Sequence, residues 1–306
     1  MVKINYVIAT YNGKCNRSMK SIPSPKDILK KHLEKVLSLQ TKYITQITIM
    51  QAESENFYEG YYDIQDIIDK SSIPIKTIPC ENYGYSCGQW MKCYEIYKNE
   101  FDYYIFLEDD YCGNFDNFDE LLVNTYNEKF ESSCGGIGLL AGHIIKIKGI
   151  PDHWSGSLII SSKTMEYLYS QYESLSIGYT PREYLDLINN NTLKKYGIRG
   201  SVNNIRKGYI GGYYQVGFSV LFTIAGIKQE AYVGHGYKDY KLQIPYWNDD
   251  NKKTCGGEVF LSVNNLHKIA NNKHELRKYN FNQKDIDFSP IVPVQIAFPE
   301  YIKNII

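Results

Sequence analysis

The chain has 306 residues, 43% of them hydrophobic, and is therefore long enough to bury a substantial core in one large domain or two small ones. Its 34 basic residues balance 34 acidic ones, so no net charge would draw it onto nucleic acid or anionic lipid. No run of about 18 apolar residues predicts a transmembrane helix, and the first residues lack the charged and apolar regions of a signal peptide.

The seven cysteines are scattered and include no C-x-x-C pair. This pattern favours reduced thiols over a disulfide framework or a zinc site and, without a targeting signal, predicts a cytoplasmic protein. The 29 tyrosines, together with many Asn, Lys and Ile residues, are typical of an AT-rich coding sequence. We therefore expect a bacterial or large-DNA-virus origin and, for a viral protein, a location in the host cytoplasm or the virion.

The first third of the chain alternates strand and helix patterns. Short apolar runs predict strands at 4–10, 46–50, 75–79 and 103–107. One helix is predicted to start with Ser24 as its N-cap and Pro25 in its first turn, and another to cover 88–97. The first helix has an apolar face formed by Ile28, Leu29, Leu33, Val36 and Leu37.

Strands that alternate with helices indicate an α/β fold with a parallel sheet covered on both faces. In such open sheets, ligands bind beyond the carboxyl ends of the strands. We therefore expect the loops after Thr10, Met50, Pro79 and Leu107 to converge on one site.

The pattern after residue 112 is looser. Helices are predicted at 116–126, 163–172, 181–189 and 213–225, and apolar segments lie at 137–140 and 158–160. The last 70 or so residues are richer in Asn, Lys and turn formers. The simplest division is a single large domain at 1–235, with one half at 1–112 and another at 113–235, followed by a C-terminal extension or closing loop at 236–306.

Three consecutive acids, Glu108, Asp109 and Asp110, directly follow the fourth predicted strand. Such side chains repel one another and resist burial, and a divalent cation removes that penalty. Mg²⁺ and Mn²⁺ prefer carboxylate and phosphate oxygens, so the acids predict an ion that bridges a diphosphate and stabilises its departing charge. The alternative is an acidic turn in water.

Residues 104–110 (YIFLEDD) resemble the D-x-D region of glycosyltransferases of the GT-A fold, in an E-D-D form. Residues 7–12 (VIATYN) are similar to the opening strand of family 2-type members, and residues 82–90 (NYGYSCGQW) to the stretch before the next helix. The resemblance covers residues 3–112, and it implies that the half at 1–112 binds the nucleotide sugar and the half at 113–235 the acceptor. The resemblance implies a mostly parallel, twisted sheet flanked by helices. It also implies a hexosyltransferase (EC 2.4) that depends on Mn²⁺ or Mg²⁺. The donor would be a nucleotide diphosphate sugar, with a UDP-sugar favoured, and the acceptor a glycan or glycoprotein.

The resemblance also implies roles for individual residues. Thr10, Tyr11 and Asn12 would contact the nucleoside, and Glu53 would hydrogen-bond the base. Asp109 would face the ribose or sugar, Asp110 would be the direct metal ligand, and Glu108 would orient its neighbours. Asn82, Gly84, Ser86 and Gly88 would let backbone N–H groups at a helix start approach the phosphates, although an ordinary helix-start loop would look the same.

Members of this fold often add a late histidine to the metal ion, and His235, between two glycines, is the candidate here. A structural or exposed histidine is the alternative. Inverting members carry an acid near the start of a later helix as the catalytic base, but this chain has Gln215 at that position, which cannot act as a base. Asp152 and then Glu183 are the candidate bases, and the stereochemistry stays open.

Two other functions compete with this interpretation. A nucleotidyltransferase would also place a metal-bound diphosphate on a parallel sheet, but it would show a Gly-rich, basic loop after the first strand, which residues 11–17 supply only in part. A catalytically inactive carbohydrate-binding protein on the same scaffold is favoured by the missing acid at Gln215.

Overall fold

The computed structural model describes residues 1–14, 25–82, 84–113, 115–138, 157–174, 190–195, 222–231, 246–248, 253–255 and 294–296. The predicted N-cap Ser24 and the predicted helix at 181–189 lie outside these ranges. Of the helix predicted at 213–225, residues 222–224 are described and helical.

The described part of the chain alternates strands and helices. The strands are β1 (Ile4–Tyr11), β2 (Ile44–Ala52), β3 (Ile75–Cys80), β4 (Tyr103–Glu108), β5 (Tyr111–Gly113), β6 (Gly135–Gly138), β7 (Ser157–Ser161), β8 (Lys228–Ala231), β9 (Tyr246–Asn248), β10 (Lys253–Cys255) and β11 (Val294–Ile296). The helices are α1 (Ile28–Ser38), α2 (Gln65–Ile68), α3 (Tyr85–Ile96), α4 (Phe118–Phe130), α5 (Ser162–Ser174) and α6 (Asn190–Lys195).

Seven strands form one sheet in the order β3-β2-β1-β4-β7-β6-β8. Strand β1 pairs in parallel with β2 and β4, and the pairs β2–β3 and β6–β8 are also parallel. Strand β7 runs antiparallel to both of its neighbours, β4 and β6. The predicted α/β fold with a mostly parallel sheet is confirmed.

Helices cover both faces of the sheet. On one face, α3 and α5 pack on Val7 and Ala9 of β1, and on the other, α1 and α4 pack on Tyr6 and Ile8. Because side chains alternate along a strand, the run INYVIATY supplies apolar groups to both layers, and seven of its eight residues are buried.

Two helices begin at other residues than the sequence predicts. Pro25–Asp27 forms a 3-10 turn and α1 starts only at Ile28, without a side-chain hydrogen bond from its N-cap Asp27. Such turns are frequent at helix N-termini. Helix α3 begins at Tyr85, three residues before the prediction, because Gly84 turns the chain with a φ of 78°, a conformation that glycine adopts without steric cost.

Short strands follow the acidic residues. Strand β5 starts one residue after Asp110 and pairs antiparallel with β11, so that Val294 lies opposite Gly113 and Ile296 opposite Tyr111. Residues near the end of the chain therefore lie beside the segment that leaves the acidic cluster. The predicted division at 112 and 235 stays a prediction.

Two further observations concern membrane-spanning helices and the state of the cysteines. In the part of the chain that the structure describes, no helix is both long and apolar enough to cross a membrane. The cysteines given for the described ranges, namely Cys80, Cys87, Cys93, Cys112 and Cys134, are free thiols.

The start of β2 is held by one buried carboxylate. Asp119, in the first turn of α4, is fully buried, and its oxygens accept hydrogen bonds from the backbone N–H groups of Lys42, Tyr43 and Ile44 at 2.6–3.2 Å. These N–H groups precede or begin β2. A charged acceptor there fixes β2 against α4.

We predict that Asp119→Ala lowers the free energy of unfolding by about 3 kcal/mol, because buried donors lose a charged acceptor. Urea denaturation followed by circular dichroism measures this. Asp116→Ala is the matched control, since the exposed Asp116 accepts one hydrogen bond from the backbone of Gln40, and we expect a loss of about 1 kcal/mol or less. Equal losses in the two variants would contradict the prediction.

Candidate functional site

The carboxyl ends of β1, β2 and β4 meet at one edge of the sheet. Since β1 lies between the other two strands, its register places Tyr11 opposite Ala52 of β2 and Ala9 opposite Glu108 of β4. The loops that the sequence predicts to converge therefore leave the sheet side by side, as expected for adjacent parallel strands.

The end of β1 is fixed by a side chain of α3. The Thr10 N–H donates to Gln89 Oε1 at 2.9 Å, and Gln89 Nε2 donates back to the Thr10 carbonyl at 3.1 Å. The Thr10 hydroxyl donates to the carbonyl of Met50 at 2.6 Å and lies 2.9 Å from the hydroxyl of Tyr62. Thr10 thus ties three elements together, and its predicted contact with a nucleoside stays a prediction.

The loops after β1 and β2 are joined through Asn12. Its Oδ1 accepts from the Ser54 N–H at 2.9 Å, and its carbonyl accepts from the Tyr58 N–H at 2.9 Å. Asn12 is buried, whereas Tyr11 beside it is half-buried and Glu53 on the facing loop is exposed. Tyr11 and Glu53 are therefore the predicted nucleoside contacts that solvent reaches.

The three acids at the end of β4 differ in exposure. Asp109 is only 2% exposed and its carboxylate accepts a hydrogen bond from the Tyr61 hydroxyl, whereas Glu108 and Asp110 are both partly exposed. Tyr61 thus holds the middle acid within the protein. The two flanking acids are therefore the ones that solvent partly reaches.

The start of α3 reaches the same edge of the sheet. The Ser86 hydroxyl donates to Glu108 Oε1 at 2.7 Å, and Gln89 Nε2 lies 3.4 Å from Asn82 Oδ1. Gly84 is buried, and its carbonyl accepts from the Gly88 N–H at 3.0 Å in the first turn of the helix. The structure therefore brings the predicted 82–88 loop to the acidic residues.

A buried histidine lies behind the acidic residues. His32 of α1 is fully buried, with Nδ1 2.9 Å from the carbonyl oxygen of Asp109 and Nε2 2.8 Å from the hydroxyl of Tyr6. A carbonyl only accepts, so Nδ1 carries the proton and, in the neutral ring, Nε2 accepts from Tyr6. Burial lowers the pKa of His32 from 6.5 to about 4, against the opposing effect of the Asp109 carbonyl and carboxylate.

The structure brings together the predicted residues of four loops, which are Thr10, Tyr11, Asn12, Glu53, Asn82, Gly84, Ser86, Gly88, Glu108, Asp109 and Asp110. The remaining predicted residues, Asp152, Glu183 and His235, lie outside the described ranges, as does Gln215. Their roles stay predictions.

Sequence reasoning missed Gln89, Tyr61 and His32. His32 lies between Leu29 and Leu33 on the apolar stripe of α1, and a polar residue on such a stripe signals a buried partner. Gln89 and Tyr61 carry no comparable local signal, since their partners are 79 and 48 residues away along the chain.

The acidic turn offers a divalent ion few protein ligands. Among the described residues, no group of three or more His, Cys, Asp or Glu side chains could hold a metal ion. Mg²⁺ usually keeps several waters and takes one or two protein carboxylates plus substrate phosphates. Glu108 and Asp110 are therefore candidates for an ion shared with a diphosphate rather than for a cage made of protein ligands alone.

The sequence matches no family model and no curated protein. Among solved structures, the chain is similar to mouse xyloside xylosyltransferase 1 in its apo form, with 12% identity, 74% of this chain and 82% of that chain covered, and a TM-score of 0.41. It is also similar to a cytidylyltransferase from Leptospira borgpetersenii, with 14% identity, 56% and 65% covered, and a TM-score of 0.35. At these TM-scores the similarities give no ground for assigning an activity to this chain.

We predict that His32 makes stability fall as the pH is lowered from about 6.5 to about 4. The unfolded chain takes up a proton at His32 near pH 6.5 and the folded chain only near pH 4, so acid favours unfolding throughout this window. The shift corresponds to about 3 kcal/mol. Urea denaturation at several pH values gives the free energy of unfolding as a function of pH. Between pH 6.5 and pH 4 this free energy should fall by about 3 kcal/mol less in His32→Gln than in the wild type, because glutamine does not titrate. Parallel curves for the two proteins would contradict the assignment.

Proposed function

We propose that the chain is a metal-dependent glycosyltransferase that transfers a sugar from a nucleotide diphosphate sugar, with a UDP-sugar favoured, to a glycan or glycoprotein acceptor. One observation carries the proposal. Two partly exposed acidic residues, Glu108 and Asp110, flank a buried one at the carboxyl end of a parallel strand, where the loops from β1, β2 and β3 also meet. The sequence resemblance of those loops to GT-A glycosyltransferases supports the same function.

Each of the three acids is proposed to have a different role, according to its surroundings. Asp110 is the proposed direct ligand of Mn²⁺ or Mg²⁺, and Glu108, held by Ser86, orients the site or adds a second oxygen. A bound ion would neutralise the diphosphate as it leaves the sugar. Asp109 is turned inward towards Tyr61 and fixes the turn, while its contact with the ribose is a proposal that requires this hydrogen bond to change.

The nucleoside is proposed to lie over the ends of β1 and β2, where Tyr11 and Glu53 are accessible. Thr10 and Asn12 shape this surface through the hydrogen bonds that hold the two loops together. A surface with fixed backbone and a few accessible polar groups suits a nucleoside, because such groups set orientation without reorganisation.

The acceptor side is proposed from the sequence. Asp152, or else Glu183, would accept the proton of the acceptor hydroxyl, and His235 would add a ligand to the ion. The alternative from another class is a carbohydrate-binding protein without transfer activity, for which Gln215 in place of the usual acid is the supporting observation.

We predict Mn²⁺-dependent binding of UDP-sugars, measured as a thermal shift over a panel of nucleotide sugars with and without Mn²⁺. A ligand at about 100 times its Kd stabilises the native state by about 2.7 kcal/mol, which gives a rise of several degrees in Tm. Slow hydrolysis should then release UDP and free sugar. Release of UMP and a sugar phosphate would instead identify a nucleotidyltransferase, and tight glycan binding with no hydrolysis would identify the inactive binder.

We predict that Asp110→Asn weakens Mn²⁺-dependent UDP binding by about 100-fold, because the amide keeps the shape of the side chain and removes its charge. Isothermal titration calorimetry measures the affinity, and an unchanged Tm without ligand shows that the variant is folded. Asp66→Asn on α2 is the matched control, since Asp66 is exposed and is given no role here. Equal UDP affinity in Asp110→Asn and the wild type would contradict the metal assignment.

A further inference from the structure

We infer that His32 is a positioning residue for the acidic turn at 108–110, acting through the backbone carbonyl of Asp109. The inference rests on the proposed function, because it gives the turn a ligand to be positioned for. His32 belongs to α1, and the resemblance to known glycosyltransferases assigns it no role.

The hydrogen bonds around His32 form a directed chain. The Gly113 N–H donates to the Tyr6 hydroxyl oxygen at 3.3 Å, the Tyr6 hydroxyl donates to His32 Nε2 at 2.8 Å, and His32 Nδ1–H donates to the Asp109 carbonyl at 2.9 Å. The donors and acceptors are fixed at both ends, because the carbonyl oxygen can only accept and the backbone N–H can only donate. Burial raises the pKa of Tyr6, so its hydroxyl keeps the proton that it donates.

The chain of hydrogen bonds holds the turn from both sides. His32 fixes the carbonyl of Asp109, which precedes Asp110, and Tyr6 fixes the amide of Gly113, which follows it in β5. Tyr61 fixes the carboxylate of Asp109 from a third direction. Asp110 therefore lies in the five-residue segment 109–113, which is anchored at both ends, so that the direction of its carboxylate is set before an ion binds.

A histidine that only filled space in the core would not need a hydrogen-bond partner at each ring nitrogen. Tyr6, His32 and Asp109 are all almost fully buried, and an apolar residue at position 32 would leave the Asp109 carbonyl and the Tyr6 hydroxyl without this partner. An asparagine has its amide nitrogen at the same distance along the side chain as Nδ1 of histidine. It keeps a donor for the carbonyl and loses the acceptor for Tyr6.

The test compares the half-saturating Mn²⁺ concentration for UDP binding among four proteins: wild type, His32→Leu, His32→Asn and Val36→Ala. Val36 is buried in the same apolar cluster of α1, and its truncation controls for a general loss of stability. We expect the concentration to rise about 10-fold or more in His32→Leu, as for other groups that orient a metal ligand. His32→Asn should restore most of the wild-type value, and Val36→Ala should not change it.

A second measurement keeps the inference testable if His32→Leu does not fold. Nitrogen-15 NMR of the wild type should show a neutral imidazole protonated at Nδ1, and Tyr6→Phe should raise the half-saturating Mn²⁺ concentration in the same direction as His32→Leu. A wild-type ring protonated only at Nε2 would overturn the inference.

The outcomes separate this inference from the proposed function. The role of His32 alone would be overturned if the wild type binds UDP with Mn²⁺ but folded His32→Leu has the same half-saturating Mn²⁺ concentration. It would also be overturned if Val36→Ala changes this concentration as much as His32→Leu does. A wild type that binds no UDP at any Mn²⁺ concentration would overturn the proposed function and this inference with it.

Discussion

The structure depends on the parallel pairing of β1 with β2 on one side and β4 on the other. A strand in this position is buried on both faces as well as on both edges, and it needs apolar side chains in both directions. Tyr6 and Ile8 supply one layer, and Val7 and Ala9 the other. Because every side of β1 is in contact, its carboxyl end is a fixed point, and the loops that follow β2 and β4 are positioned relative to it.

The acids beside that fixed end need polar partners instead of apolar ones, since a carboxylate resists burial unless it is paired or hydrogen-bonded. The chain meets it with side chains from separate segments. Tyr61 bonds the carboxylate of Asp109, His32 bonds its carbonyl, and Ser86 bonds Glu108. As a result, one acid is part of the interior and the other two are partly exposed, an arrangement that suits an ion whose remaining ligands come from a phosphate.

Much of the sheet could be predicted from the sequence, since the bounds of β1 to β4 were predicted to within two residues. The reversed direction of β7 could not, since strand pairing depends on contacts far along the chain, as between Leu158 and Phe106. The position of the site followed from the acids after β4 and the loop after β1. Its supporting hydrogen bonds did not, because His32 and Asp109 are 77 residues apart and only the fold brings them together.

Anomalous scattering from manganese, in crystals grown with MnCl₂ and UDP, is the most direct measurement of whether the end of β4 is a donor site. The proposed function requires a manganese peak at bonding distance from an Asp110 carboxylate oxygen and from the diphosphate, with the uridine over the ends of β1 and β2. A manganese peak remote from residues 108–110, or a nucleotide bound elsewhere while the Asp110 carboxylate points into solvent, would contradict it.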